Sequence, residues 1–388
     1  MVCTPQTAEE LADDLRRSAM NERTIVLEGA GSKRAMGGPA EGDDTISTAG
    51  LRRVLEYEPR DLTVSVEAGM PWRELTQLLA NNRQMVPLDP AFADRATVGG
   101  VIAANSSGPR RRLYGTARDM VIGMRFATVD GKVVETGGMV VKNVAGLDMA
   151  KLIIGSFGTL AAVASVNFKV QPVPEMERTF VLAFATAAEA MAAKQGLLAS
   201  ALQPSAVDLL NPEAGKTVGN AVWLLAVRAG GNLGTVQRYD RDLAQGGQTV
   251  PFEGAAQERL WRHIEEFTPA WLEQHEGGAV VRASCTLKEV GAVMESFPGP
   301  AIARAGSGVC YGYFTYADEA LSWQAKSGMD PKTGAPAPPT VIECAPADWK
   351  RTGELWPKPG GDLEIMRRVK KLFDPGNVLN RGRLYGRI

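Results

Sequence analysis

Histidine is almost absent from this chain, with only His263 and His275 among 388 residues. They flank Pro269 at a separation far from the roughly three or four positions that put two metal ligands on one helix face. The apolar positions Leu260, Trp261, Ile264, Phe267 and Trp271 around them predict an amphipathic helix interrupted near Pro269, with both histidines on its surface. Cysteine is equally sparse. Cys3, Cys285, Cys310 and Cys344 form no C-x-x-C, so they read as free thiols of a reducing cytosol, and no metal or iron–sulfur cluster is assigned to this chain. A one-sided charge is missing as well. The 43 basic and 44 acidic residues leave a net charge of −1, which gives no reason to propose nucleic acid or an anionic membrane as a partner.

Long apolar runs are also lacking. Positions 152–168 carry no charge between Lys151 and Lys169, yet Gly155, Ser156, Gly158, Thr159, Ser165 and Asn167 interrupt them. The segment is predicted as helix end, turn and buried strand, so no transmembrane segment is expected. The start, MVCTPQTAEELADD, has no basic region followed by an apolar run, and no secretory leader is expected. Two nucleotide signatures are missing too. Gly29 and Gly31 are followed by Arg34 where a dinucleotide fingerprint needs its third glycine, and no G-x-x-x-x-G-K-[ST] occurs.

What is present is a pair of small-residue loops about 70 positions apart. The first, Glu28-Gly29-Ala30-Gly31-Ser32-Lys33, follows the apolar strand Thr24-Ile25-Val26-Leu27, itself preceded by an amphipathic helix at Ala8–Met20. Without Cβ atoms at Gly29 and Gly31, such a turn can aim its amides at a pyrophosphate; alone it reads equally well as an ordinary tight turn. The second, TVGGVIAANSSGPRRRLYGTARD at 97–119, keeps small side chains over so many positions that it leaves a groove rather than fills a core. Together they point to a phosphate-bearing cofactor. Downstream, 121–136 alternates around Asp130-Gly131 as a hairpin, and KNVAGLD is followed by KLIIGSFGTLA at 151–161.

These segments resemble, in the same order, the FAD-binding domain of the vanillyl-alcohol oxidase superfamily, also called the PCMH type. The chain is most similar to the FAD-binding subunits of bacterial glycolate oxidases within it. The resemblance implies an α+β fold: a PCMH-type, two-subdomain FAD-binding domain at 1–174, then a ferredoxin-like α+β cap domain at 175–388 whose C-terminal segment returns to the flavin. It implies flavin contacts in the first loop at Glu28, Gly29, Ala30, Gly31, Ser32 and Lys33. In the second loop the implied positions begin with Thr97, Gly99, Gly100, Ala104, Asn105 and Ser106. They continue with Gly108, Arg110, Tyr114, Gly115 and Asp119. The segment passing the isoalloxazine adds Gly158, Thr159 and Leu160, and the closing KLFDPGNVLNRGR adds Asn380. Arg381 stands where the family prefers proline, and Leu147 where it commonly has an aromatic. Members that tether FAD use a His in the first loop or a Cys in the second; here Ser32, Lys33, Ser106 and Ser107 occupy those loops, so the FAD is expected to be non-covalent.

The resemblance also implies the activity. It points to an FAD-binding subunit of a glycolate oxidase complex, a 2-hydroxy-acid dehydrogenase that converts glycolate to glyoxylate or relays electrons from a catalytic flavin partner to an iron–sulfur subunit. Related dehydrogenases carry a His-x-Gly-Asp-Gly-Asn-type segment that this chain lacks, so the general base has no assigned residue and a homologous catalytic flavoprotein partner is expected to supply it. The alternatives are a self-sufficient FAD-dependent enzyme such as a D-lactate dehydrogenase, with Tyr311, Tyr313 and Tyr316 as candidates, and a flavin-stabilised scaffold. The expected location is cytoplasmic, at the inner face of the membrane only through partners. At Arg110-Arg111-Arg112, a guanidinium contacting FAD or a partner acid competes with a solvated turn.

Beyond Gln171-Pro172-Val173-Pro174 the pattern changes. Strands at 179–185, 205–210 and 220–227 and helices at 187–202 and 233–244 suit a ferredoxin-like sheet with helices on one face. Residues 306–312 read as a small-residue strand of the cap, and 325–361, rich in Pro, Gly and Lys, as a mobile surface loop.

Overall fold

The computed structural model describes residues 1–139, 147–244, 249–326 and 339–388. The KNVAG segment at 142–146 and most of the Pro-rich stretch after 326 lie outside them. Two compact units emerge, one made of Met1–Ser107, Gly115–Val173 and Ala347–Ile388, the other of Gly108–Tyr114 and Pro174–Pro346.

The first unit holds two main sheets. In the smaller, strand Asp44–Ser47 pairs in parallel with Val2–Cys3 on one side and Ile25–Glu28 on the other. Helix Ala8–Met20 begins where the Thr7 side chain accepts from the Glu10 amide, a cap worth about 1 kcal/mol. Its apolar stripe, Leu11, Ala12 and Leu15, is buried with Ile25, Ile46, Leu51 and Leu379. The larger sheet is antiparallel, ordered Val54–Glu58, Thr63–Glu67, Ala162–Lys169, Val121–Ala127, Val133–Gly137. The hairpin around Asp130-Gly131 is its edge. Every residue of Thr63–Glu67 is buried, so this strand is covered on both faces. Its Glu67 carboxylate is held by Arg53, which donates from its guanidinium at 2.7 and 3.1 Å and from its amide at 2.7 Å.

Asp44 shows how the first sheet is anchored. Its buried carboxylate accepts from Arg23 at 2.8 and 2.9 Å and from the Ser18 hydroxyl at 2.8 Å. Those bonds, Arg23 first, hold the carboxyl well below the usual range despite burial. A carboxyl depressed in the folded state contributes stability above its unfolded value, near pH 4, and loses it as pH falls toward the folded value. Urea midpoints of the wild type and Asp44→Asn are therefore expected to differ at pH 7 and to converge toward pH 3. A gap independent of pH would sink this account.

The second unit is one eight-stranded antiparallel sheet built from two copies of the same βαββαβ pattern. The first copy runs strand Met176–Phe184, helix Ala187–Ala199, strands Ala206–Leu210 and Trp223–Gly231, helix Leu233–Ala244, strand Thr249–Phe252. The second runs Ala279–Ser284, helix Val290–Ser296, Ala301–Arg304, Val309–Phe314, helix Ala317–Lys326, Thr340–Cys344. In each copy the fourth strand lies outside the first, then come the third and the second, and the halves join where Leu209 and Leu210 pair with Ala303 and Ile302. The ferredoxin-like reading thus describes the first half, and the second half repeats it.

Two expectations are corrected here. Thr340–Cys344, inside the stretch read as a surface loop, is an edge strand paired with Ala279–Ser284, and Lys350 beyond it is buried and donates to the Arg34 and Ala35 carbonyls at 2.7 and 3.1 Å. A five-residue strand between proline-rich flanks is too short for its alternation to register. The helix expected around Pro269 is two helices, Gly254–Glu265 and Phe267–Gln274. The break falls at Glu266, before the proline, which sits in the first turn where its missing N–H costs nothing.

Candidate functional site

In the first unit a cleft of about 550 Å³, open mouth included, is lined by the whole turn from Val26 to Arg34, with Ala40, Thr97, Gly100, Ala103, Ala104, Phe157, Asn380 and Arg383. Segments distant in sequence meet here because glycines let them touch. A Cβ on Gly29 would stand 2.2 Å from Thr97 Oγ1, and one on Gly158 2.7 Å from Asn380 Nδ2. Gly31 has φ +68°, the left-handed region that turns successive amides outward.

Asn380 fastens the cleft from behind. Its Oδ1 accepts from the Leu27 amide at 2.7 Å, and its Nδ2 donates to the Phe157 carbonyl at 2.7 Å and the Leu27 carbonyl at 3.2 Å. Arg383 donates to the Met36 carbonyl at 2.7 Å and lies 5.8 Å from the Phe157 ring centre. Lys33, nearly buried, sits 5.7 Å over Phe92, while Glu28 is tied to Arg34 by two bonds of 2.7 and 2.8 Å.

The donor inventory fits a polyanionic, polyhydroxylated ligand. Among the described residues the amides of Ala30, Gly31 and Ser32 donate to no protein acceptor. In the second loop Asn105 Oδ1 and Ser107 Oγ are buried without a partner, as is Ser156 Oγ beside Phe157. Buried polar atoms are seldom left so, and the unmet donors and acceptors suit a ligand rich in phosphate and hydroxyl groups.

Not every residue named from sequence lies on the cleft. Gly99 packs its amide on the Ala68 carbonyl at 2.7 Å, and Gly115 and Asp119 close the turn capped by Thr116. The Thr159 hydroxyl bonds the Ser156 carbonyl at 2.7 Å, Leu160 is buried, and Ser106 is nearly so. Gly108, Arg110 and Tyr114 belong to the second unit, where Arg110 meets Glu177 at 3.2 Å. Phe157 and Arg383 were not named as site residues. Arg383 stood in the closing motif, whereas nothing local marked Phe157.

In the second unit the pairing register puts a charged row on one sheet face, the face on which Phe267 of helix Phe267–Gln274 packs against Tyr313. Arg282 opposes Tyr311, Ile302 opposes Tyr311, and Arg304 opposes Val309, so Arg282, Tyr311 and Arg304 share that face. Arg304 bonds Asp208 and stacks 5.6 Å from the Tyr311 ring; Arg282 bonds Glu343 at 2.6 Å. Arg111 faces this group, its guanidinium making no hydrogen bond or ion pair with the described residues. Burial pushes it below its ordinary value, and Arg282 and Arg304 push the same way. Burial raises Tyr311, keeping its hydroxyl protonated at neutral pH, where it donates rather than acts as a base. Three guanidiniums thus face two carboxylates that are already bonded, which favours an added anion.

Both histidines are engaged. His263 Nε2 meets Thr217 Oγ1 at 2.8 Å, and burial lowers its pKa; His275 stacks on Trp271 at 3.7 Å and bonds its carbonyl at 3.0 Å. No cluster of metal-ligating side chains occurs among the described residues, nor any helix long and apolar enough to cross a membrane.

Comparison with known proteins agrees with the cleft. Residues 1–137 match the FAD binding domain, and 357–384 match the C-terminal domain of FAD linked oxidases. The chain is 33% identical over 168 residues to glycolate oxidase subunit GlcE of Escherichia coli K12, covering 43% of this chain and 48% of that one. It is 24% identical to a D-lactate dehydrogenase of Archaeoglobus fulgidus, over 100% of this chain and 92% of that one. The chain spans about half the length, or less, of the first curated relatives it matches. In structure it resembles p-cresol methylhydroxylase, with a TM-score of 0.73 at 15% identity over 98% and 88% of the two chains. Residues 1–137 thus carry an FAD binding domain whose cofactor is FAD, and the chain shares its fold with p-cresol methylhydroxylase.

Proposed function

We propose that the chain is the FAD-binding subunit of an assembly, of the glycolate oxidase kind, that oxidises a small 2-hydroxy acid. The observation that carries this reading is the cleft with its free amides at Ala30, Gly31 and Ser32, in a chain similar to a glycolate oxidase subunit. Those amides and Lys33 would hold the pyrophosphate; Asn105, Ser107 and Ser156 would hold the remaining polar groups, with no covalent bond because neither loop has a His or Cys. Bound there, FAD supplies two-electron oxidation. Both histidines are engaged and Tyr311 is protonated, so in this reading a second flavoprotein subunit provides the base and an iron–sulfur subunit takes the electrons. Such a complex is cytoplasmic, meeting a membrane only through its partners.

A second reading, an enzyme with its own catalytic site, is favoured by the charged face. There Arg111 and Tyr311 would grip a carboxylate. An anaerobic visible spectrum during addition of glycolate, then D-lactate, separates the two. The single chain is expected to stay oxidised and to bleach only when co-expressed with a His-bearing flavoprotein and an iron–sulfur subunit. Persistent oxidation in that complex overturns the proposal. Bleaching of the single chain, with about tenfold more acid required by Arg111→Ala, establishes the second reading instead.

A further inference from the structure

Cys285 and Cys310 belong to no motif, yet the fold brings their sulfurs to 3.9 Å. Cys310 is fully buried on strand Val309–Phe314, paired with Ala283. Cys285 follows the end of the neighbouring strand, half-buried, with its amide donating to the Gly308 carbonyl at 2.8 Å. It is therefore the sulfur a small reagent reaches first.

A cation stands beside them. Lys194, on helix Ala187–Ala199, is 3% exposed and donates to the Leu287 carbonyl. Among the described residues it has no carboxylate partner; burial weighs against its charge, and the groups that favour it are Cys285 and Cys310. A buried ammonium without a counter-ion is costly, and a thiolate at Cys285 removes that cost. The opposing charge is Glu289, whose exposed carboxylate is occupied by the Thr286 amide and hydroxyl at 2.8 and 2.7 Å. The contact between the thiols lowers Cys285 and raises Cys310, which makes Cys285 the more readily ionised of the two.

We propose that Cys285 and Cys310 form a hydroperoxide-reactive dithiol, with Cys285 the attacking sulfur, Cys310 the resolving one and Lys194 the positioning cation. The Cys285 thiolate attacks one peroxide oxygen and the O–O bond breaks. The leaving oxygen takes a proton and departs as an alcohol, or as water from hydrogen peroxide, leaving a sulfenic acid. The Cys310 sulfur then displaces the sulfenic hydroxyl, forming the S–S bond, and that hydroxyl leaves as water with the Cys310 proton. The two thiols together lose two electrons and two protons, and the peroxide gains them. Resetting the pair requires an external dithiol. The inference does not depend on the substrate of the flavin.

The test uses the FAD-loaded full chain, reduced, desalted and given one equivalent of hydrogen peroxide. Titratable thiols in denaturant are expected to fall from the four of the sequence to two, with one linked peptide joining Cys285 to Cys310. Cys310→Ser is expected to stop at a sulfenic acid on Cys285 that a 1,3-diketone traps, and Cys285→Ser to leave Cys310 unreacted. Lys194→Met is expected to slow the reaction at least about tenfold; if it does not fold, the two cysteine variants still decide the matter. Retention of four thiols, oxidation falling on Cys3 or Cys344, or an unchanged rate in folded Lys194→Met would overturn the proposal.

Discussion

Asp374→Ala is expected to lower folding stability by about 3–5 kcal/mol, the range for removing one partner of a buried ion pair. Asp374 is fully buried and accepts from Lys370 Nζ at 2.6 Å, from the Leu379 amide at 2.8 Å and from the Val378 amide at 3.1 Å. Lys370 Nζ also donates to the Thr159 and Leu379 carbonyls at 2.8 Å each, so one pair ties the last helix, Leu363–Phe373, to the segment behind the cleft. Truncating the carboxylate leaves an ammonium with only two carbonyls.

The same group fixes the sign of the pH dependence. Burial holds the Lys370 ammonium below its ordinary value, and Asp374 opposes that shift. The unfolded chain therefore keeps the proton to higher pH than the folded one. Stability rises with pH between the folded value and about 10.4, and removing Asp374 widens that window. Urea unfolding of Asp374→Ala is expected to show the full loss at pH 7 and partial recovery toward pH 10. A loss below about 1 kcal/mol would falsify the buried-pair account.

Gly29→Ala is expected to abolish flavin retention while leaving most of the fold intact. The new methyl would stand 2.2 Å from Thr97 Oγ1, so the turn or the Thr97 side chain must move, and the free amides at Ala30, Gly31 and Ser32 move with it. Displacement of three donors is expected to weaken FAD binding at least tenfold, about 1.4 kcal/mol or more. The measurement is the flavin-to-protein ratio after purification, with the melting temperature as control. In the wild type, acid precipitation is expected to release all flavin into the supernatant, because neither loop offers a tethering His or Cys. Adding Thr97→Gly to Gly29→Ala removes the obstructing side chain and is expected to restore part of the binding. Full flavin content in Gly29→Ala would mean that the close approach of Gly29 to Thr97 is incidental.

A phosphate-bearing cofactor was legible in the chain because its loops depend on residue type at fixed local offsets, and the family resemblance narrowed it to FAD. Gly29 and Gly31 announce a turn that only glycine makes easily, and the hairpin around Asp130-Gly131 follows from alternation and turn chemistry. The first βαββ run of the second unit was visible for the same reason. Its repetition was not, since Ala301–Arg304 and Thr340–Cys344 are strands of four and five residues whose periodicity is too brief to separate from loop.

The sequence by itself therefore determined two small-residue turns suited to a phosphate-bearing cofactor, which the family resemblance made FAD, and a histidine content too low for a histidine-rich catalytic centre. Tertiary structure decided what the charged and nucleophilic groups face. The Arg110-Arg111-Arg112 run divides: Arg110 pairs with Glu177, whereas the Arg111 guanidinium, beside Arg282, Arg304 and Tyr311, has no bonded partner among the described residues. Cys285 and Cys310 meet only because two strands pair in one register, and Lys194 joins them from a helix some 90 positions earlier, buried above their sheet. The physical reason is the same in each case. Local propensity acts over a few residues, whereas the charge felt by a side chain is set by whatever the packed chain brings within a few ångströms, and that is fixed only when the strands choose their partners.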